Sequence, residues 1–497
     1  MRSLAALIAL GTLAQDAPVD EPTPKVLMVF VDGFLPDAIA LARTPNLDRL
    51  IRRGAWSLEA RAESTTISGS GWSTFLNGVH WDKHGVPDNA FEAPRYGRYP
   101  HVIQRLKEAR PEARAASANC WRPIEDGLVA PSGADRVIYH EYYDYDDDYF
   151  DDESCDAKSV ADLAEHLRDA DPDLAVIMFG ELDGVGHLEG NAHYYAEDPL
   201  YRRMLTQVDE GIGFLLDAIR ARPTHGDEDW LILVSSDHGG SQGLGHGRNL
   251  PSHRKVPLVV SGPRVARGEI WPPPQPCDLA TTALHHLGVA LRPEWELDGV
   301  VLGREKTAPP KPALGANLIF HGDAELERGF AHYSGAPDAS VAGWDDPSWM
   351  TVLTYGAGEG FPGPGDALPE GCGASFFAGG GTAEPTWMEQ EIDLRPLAAE
   401  LSGGVEYELS GWLGGFADQA DACRLTARFL DAGGEELAHA ELAPVTAEDR
   451  DGATGFVHRS ATGTVPRGVR SVLVRLEANP AVGMNDGYAD GLRLVLR

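Results

Sequence analysis

None of the five cysteines stands in a CxxC spacing, which excludes a structural zinc finger. Basic residues are scarce as well: 42 Lys and Arg face 76 Asp and Glu, for a formal charge of −34. That balance excludes nucleic acid as a main partner, because phosphate contacts need clustered Lys and Arg. Beyond the first residues no run approaches the ~18 continuous apolar residues of a membrane span, so stable membrane insertion is not expected. At the start, Met1-Arg2 and the apolar stretch Leu4 to Leu13 predict a secretory signal over residues 1–14, cleaved near Ala14, and hence a secreted or periplasmic protein.

Four clusters of acidic and histidine residues recur along the first three hundred positions: Asp32, Asp183 with His187, Asp237 with His238, and His246. Most follow an apolar or β-branched run. Lys25 to Val31 ends in Asp32-Gly33, Asp173 to Phe179 leads to Glu181-Leu-Asp183, and Trp230 to Ser235 runs into Asp237-His238-Gly239. In an open α/β sheet such positions lie at the carboxyl edge, where ligands bind. Carboxylate and neutral imidazole together suit zinc or a similar borderline cation. Two such ions about 4 Å apart can clamp the attacking and leaving oxygens of a displacement at phosphorus. Asp183 and His187, at i and i+4, share a face if their segment winds into a helical turn.

Strand-like runs alternate with helical patterns (Thr44 to Arg53, Pro100 to Ala109, Val160 to Arg168, Leu200 to Ala221, Asp278 to Leu287), predicting an α/β domain over 25–305 with a mostly parallel sheet sandwiched by helices. Residues 306–314 are proline-rich and form the expected linker. From 315 to 497 short alternating runs separated by Gly, Asp and Pro predict an all-β jelly-roll sandwich. The acidic, tyrosine-rich run 141–156 reads as a solvated insertion. An exported chain can oxidise its thiols, and by domain the pairs would be Cys120 with Cys155 and Cys372 with Cys423, leaving Cys277 free.

A phosphoryl site needs a nucleophile, and Ser64 to Gly78 offers several hydroxyls. Ser68, between Ile67 and Gly69, is the preferred candidate, with Thr66 and Ser70 as rivals. Gly69 lets the backbone approach a phosphate, and a helix starting near Ser70 would aim its N-terminal dipole at the anion. Asn89 offers a polar contact to substrate, or serves as a turn residue.

Val31-Asp32-Gly33, Ile67-Ser68-Gly69 with Gly78, Trp81 to Gly85 ending in His84-Gly85, Leu182 to His187, Ser236 to Gly239 and His246-Gly247 together resemble the alkaline phosphatase superfamily, in its type I phosphodiesterase/nucleotide pyrophosphatase-like branch. The resemblance implies that Asp32, Ser68, Asp237 and His238 surround one zinc ion and that Asp183, His187 and His246 hold the other. His253 is the alternative to His246. It further implies a metal-dependent hydrolase of small phosphoesters, diesters ahead of monoesters, acting through a phosphoserine. Sulfatases of the superfamily carry a C/S-x-P-x-R pattern, absent here. The nucleotide pyrophosphatases usually have Thr at the nucleophile and Asn three residues on, where this chain has Ser68 and Gly71.

The second half resembles galactose-binding-like jelly rolls, with Asn317 to Glu325 as the opening strand and Asn485 to Leu496 within the closing one. That resemblance implies a structural calcium on Glu325 and Asp490. Glycan is the implied partner, with Trp344, Trp349, Trp387 and Trp412 as stacking candidates. A non-catalytic glycan-binding or adhesin protein with a vestigial metal site is the competing reading from another class.

Overall fold

The computed structural model describes residues 22–141, 154–303, 311–326, 341, 343–344, 350–358, 360–381, 383–481 and 483–497. The expected signal segment, most of the linker, Trp349 and most of the acidic tyrosine-rich run lie outside them.

Among the described residues the first half is built on eight strands: β1 (Thr23–Val31), β2 (Ala55–Arg61), β3 (Ala115–Asn119), β4 (Arg136–Tyr139), β5 (Leu174–Phe179), β6 (Glu228–Ser235), β7 (Lys255–Ser261) and β8 (Gly268–Glu269). Their order is β4-β3-β5-β1-β6-β7-β2-β8. Pairing is parallel from β4 through β6 and antiparallel on both sides of β7. Helices α1 (Pro45–Arg53), α2 (Ser68–Asn77), α3 (Val102–Ala109), α4 (Cys155–Asp169), α5 (Glu181–Asn191), α6 (Pro199–Arg220) and α7 (Cys277–His286) accompany the sheet. Two hydrophobic clusters take alternate residues of β1, Leu27, Val29 and Val31 in one and Val26, Met28 and Phe30 in the other. A strand buried on both faces must be apolar nearly throughout, which is why β1, β5 and β6 read as unbroken hydrophobic runs.

Register then fixes where the chemistry lies. Val31 pairs with Phe179 and Phe30 with Ser235, so three adjacent strands end level with one another. The Asp32 N–H donates to Phe179 O at 2.9 Å, closing the last rung. Asp32, the start of α5 and Asp237 therefore emerge at one edge.

Among the described residues the second half holds nine strands: β9 (Thr351–Thr354), β10 (Ser375–Ala378), β11 (Thr386–Asp393), β12 (Glu406–Gly415), β13 (Ala422–Leu430), β14 (Glu436–Leu442), β15 (Gly455–Thr464), β16 (Ser471–Asn479) and β17 (Gly487–Leu496). They form a five-stranded sheet, β15-β12-β17-β10-β9, and a four-stranded one, β11-β16-β13-β14, with a shared apolar core. Alternation supplies both faces of the larger sheet: Val352, Phe377 and Ala489 enter the main core, while Leu353, Phe376 and Tyr488 join a second cluster. The α/β half and the β-sandwich thus follow the expected fold class. One element does not: Asn317 to Glu325 forms no strand, only a bridge from Asn317 to Val495. His321 and Ala324 adopt positive φ of 50° and 56°, and Gly322 packs on the Leu492 carbonyl, a path of turns that no ladder can follow.

Candidate metal centre

α2 begins at Ser68 itself, after an extended Ile67, and is buried along its length. Phe30 of β1 packs on Trp72, and the Trp72 indole N–H reaches Asp32 Oδ2 at 3.3 Å, tying the helix to the strand end. Ser68 Oγ then lies 3.3 Å from His238 Nε2. The neighbouring glycines are demanded by this packing. A Cβ at Gly71 would meet the Asp237 Cβ at 2.5 Å, and one at Gly69 would meet the Asp88 carbonyl at 2.4 Å. The Gly69 N–H donates to Asn89 Oδ1 at 2.8 Å. Asn89 therefore holds the start of α2, and it also lines the site cavity.

Around Ser68 the acceptors outnumber the donors. His238 donates from Nδ1 to Gly239 O at 2.9 Å, so its Nε2 presents a lone pair. That atom faces Asp32 Oδ1 at 3.4 Å and Asp237 Oδ2 at 3.3 Å. Both carboxylate oxygens are buried without a hydrogen-bond partner. Three buried lone pairs aimed at one point are costly unless a cation or protons fill it. Burial, with the charges of Asp237 and Asp183, pushes Asp32 well above the usual carboxylate range. Burial and the Asp183 charge push Asp237 up to about 7.

A second convergence adjoins the first. Residues 181–187 wind as a true helical turn before non-helical angles at Leu188, Glu189 and Gly190, so Asp183 and His187 share a face as the spacing predicts. His187 Nδ1 donates to Asn191 Oδ1 at 2.6 Å and His246 Nδ1 to Thr66 O at 2.8 Å. Their Nε2 atoms are left 3.0 Å apart, with Asp183 Oδ2 at 3.3 Å from His187 Nε2. Burial opposes charge on His187, but Asp183 prevails and raises it to about 8. His246 stacks on His238 with centroids 3.7 Å apart, which joins the two sets. His253 is elsewhere, bonded through Nε2 to Ser241 Oγ at 2.8 Å. The donor chemistry and the orphaned oxygens fit borderline divalent cations: Asp32, Asp237 and His238 converge on one point and Asp183, His238 and His246 on a second, with His187 joined to the latter through its contacts with Asp183 and His246.

Tyr194 is the residue that sequence reading missed. Its hydroxyl donates to Asp183 Oδ1, and a Cβ at Gly33, Gly186 or Gly240 would collide with its side chain at 2.2 to 2.6 Å. Three glycines dispersed over two hundred positions are the only signal, and nothing local relates them.

The site opens into a cavity of about 600 Å³ whose walls include Trp121, Arg122, Tyr139 and Glu141. Arg122 lies over the Tyr139 ring and only loosely near Asp126 and Glu141, at 3.8 and 3.9 Å. A larger cavity, about 780 Å³, runs from Arg267 to Gln275 and past Leu326, away from every ligating residue. Size does not locate the chemistry here.

In the sandwich, Glu325 Oε1 accepts from Ser375 N–H at 2.8 Å. Asp490 accepts from Tyr355 Oη and Gly491 N–H, both at 2.6 Å. Both Asp490 oxygens thus have protein donors, whereas exposed Glu325 has one on Oε1. Trp344 is buried in the core, Trp387 packs under the Arg475 guanidinium, and half-buried Trp412 meets His458 edge-on. All five cysteines are free thiols. Cys372 and Cys423 are not bonded, the latter being sealed between the sheets beside Gly487.

An open, mostly parallel sheet that gathers carboxylates and imidazoles beside a serine at a helix start defines a cation-assisted α/β scaffold. Residues 26–273 match the family model for type I phosphodiesterase / nucleotide pyrophosphatase, and the chain belongs to that branch of the alkaline phosphatase superfamily. It is similar to human ectonucleotide pyrophosphatase/phosphodiesterase family member 7, at 26% identity over 258 residues, 48% of this chain and 52% of that one. It is also similar to the Xenopus laevis bis(5'-adenosyl)-triphosphatase, at 22% identity over 242 residues, 48% of this chain and 52% of that one. Murine ectonucleotide pyrophosphatase/phosphodiesterase 5, solved with AMP, aligns with a TM-score of 0.41 and 14% identity over 54% of this chain and 96% of that one. The chain spans about half the length of the curated relatives it matches.

Proposed function

We propose that this protein is a two-zinc phosphoesterase that hydrolyses phosphodiesters, with Ser68 as nucleophile. The observation that carries the reading is the position of Ser68 Oγ, 3.3 Å from His238 Nε2 at the start of a buried helix and beside two orphaned carboxylate oxygens. Bound zinc would supply positive charge for the phosphoryl oxygens and would acidify the attacking hydroxyl. Ser68 Oγ attacks phosphorus in line, and its bond to phosphorus forms as the bond to the leaving oxygen breaks. The Ser68 proton and the expelled alkoxide together make up the released alcohol. Water then attacks the phosphoserine from the opposite side, and Ser68 recovers a proton. Asn89, with Oδ1 held by Gly69, keeps its amide nitrogen for a phosphoryl oxygen.

Diesters are placed ahead of monoesters because, among the described residues lining the cavity, the one guanidinium is that of half-exposed Arg122, which lies over the Tyr139 ring and leaves the second charge of a monoester with little fixed compensation on that wall. The names of the relatives, a phosphodiesterase and a bis(5'-adenosyl)-triphosphatase, point the same way. We assign residues 25–305 to this activity, 306–314 to a linker and 315–497 to an accessory sandwich of the galactose-binding-like kind. Export accords with the leader-like residues 1–14. Among the described residues a glycan partner is carried by half-buried Trp412 beside His458, and a glycan array probed with the full chain and with Trp412→Ala tests it. For the activity, the zinc-loaded protein is assayed on bis-p-nitrophenyl phosphate and p-nitrophenyl phosphate, with Ser68→Ala as control. Diester turnover that depends on Ser68 supports the reading; monoester preference corrects the substrate, and Ser68-independent turnover overturns the nucleophile.

A further inference from the structure

A third convergence of ligating atoms lies beside the site without belonging to it. Cys120 follows β3 and lines the cavity just before Trp121 and Arg122. Cys155 opens α4, whose start is capped by Ser154. Both thiols are buried, and their sulfurs lie within 4.8 Å of each other and of an Asp156 oxygen. Each donates to the same Asp156 Oδ1, Cys120 at 3.5 Å and Cys155 at 3.9 Å.

Such a cluster can be a cation site or a dithiol, and Asp156 separates the two. Its Oδ1 also accepts Gly180 N–H at 2.9 Å, and its Oδ2 accepts Glu181 N–H at 3.0 Å. No orphaned oxygen asks for a cation, in contrast to Asp32 and Asp237. Burial raises Asp156 to about 6, which leaves it ionised at neutral pH; the hydrogen bond with Cys155 lowers Cys120, but burial together with the charges of Asp156 and Glu181 prevails and holds the thiol up at about 11. The two sulfurs, within 4.8 Å and hydrogen-bonded to each other, need only a side-chain rotation to meet at bonding distance.

We propose that Cys120 and Cys155 form a reversible disulfide that ties the cavity wall at Trp121 and Arg122 to the start of α4. The oxidant is a small disulfide such as oxidised glutathione, which can enter through the cavity that Cys120 lines. The Cys120 sulfur, having given its proton to Asp156, attacks one glutathione sulfur and expels the first glutathione thiolate. Cys155 sulfur then displaces the second from the mixed disulfide. One S–S bond is broken and one is made: two electrons and two protons pass from the protein thiols to two molecules of glutathione.

The test uses the full chain, equilibrated across ratios of reduced to oxidised glutathione, denatured in alkylating reagent and mapped by mass spectrometry. The expected result is a cross-linked peptide pair joining Cys120 and Cys155, two hydrogens lighter, that rises with oxidation and reverts on reduction while Cys277 and Cys423 stay alkylated. Cys120→Ser and Cys155→Ser should each abolish it. Alkylation of both thiols at every ratio would overturn the proposal. So would an equivalent of zinc or cobalt retained by the pair, seen for cobalt as a thiolate absorption lost in Cys120→Ser. Because the readout is mass, failure here leaves the phosphoesterase reading untouched.

Discussion

Buried carboxylates behave differently in the two halves of this molecule. At the sheet edge, Asp32 and Asp237 each keep an oxygen that no donor reaches, and both oxygens face the lone pair of His238. In the sandwich, Asp490 is equally buried, yet Tyr355 and Gly491 occupy its oxygens. Proximity of acidic side chains therefore says little about cation binding; the supply of protein donors says much more. A folded chain tolerates an unsatisfied buried carboxylate only where something else completes it.

The contrast can be tested, beginning with the largest effect. Ser68→Ala should lower kcat on bis-p-nitrophenyl phosphate by on the order of 10⁴-fold or more while leaving Tm unchanged, whereas Tyr355→Phe should leave turnover alone. Next comes metal removal. If zinc is present at a thousandfold its Kd, chelation should cost about 4 kcal/mol of stability, read as a fall in Tm. Asp237→Asn should erase that dependence and Asp490→Asn should not. A calcium-dependent Tm that vanished in Asp490→Asn would break the comparison.

A third prediction concerns an ion pair beneath α2. Glu63 Oε1 accepts from His80 Nδ1 at 2.7 Å and from Thr74 Oγ1 at 2.8 Å. Burial disfavours both charges, but the pair prevails, holding Glu63 at about 2 and raising His80 to about 9. Glu63, with its depressed value, stabilises above pH 4.5 and loses that contribution as pH falls toward 2. His80, with its raised value, stabilises below pH 6.5 and loses that contribution as pH rises through 9. Stability from the pair should thus be fullest between pH 4.5 and 6.5 and decline on either side, by about 3 kcal/mol on the alkaline arm. Thermal melts from pH 5 to 9.5 check this, and a double replacement Glu63→Gln with His80→Gln should flatten the profile. The smallest effect is expected at Tyr194→Phe. It should weaken zinc binding about 10- to 100-fold in a chelator competition, because the Asp183 carboxylate loses its orienting donor.

Much of the first half was legible in its sequence because its signals are local. Unbroken apolar runs mark strands buried on both faces, and Asp32, Asp183, Asp237 and His238 follow those runs within a few residues. The i, i+4 spacing of Asp183 and His187 was likewise readable, since it needs only a helical turn. The choice of His246 over His253 was not a matter of spacing alone; Thr66, far off in sequence, accepts its Nδ1–H and turns it inward.

What the tertiary structure alone decided were matters of partners. The N–H of Gly69 went to Asn89, and Asn317 to Glu325 was bent into turns against β17 where a strand was expected. Asp490 was supplied with donors, Tyr194 was threaded between glycines from three separate segments, and Cys120 was set beside Cys155 but Cys372 was not joined to Cys423. Periodicity and strand-end position are properties of neighbouring residues, so the sequence by itself determined the sheet and the ligand types at its edge. Whether a buried polar atom is satisfied depends on groups brought from far along the chain, and only the folded packing could decide it.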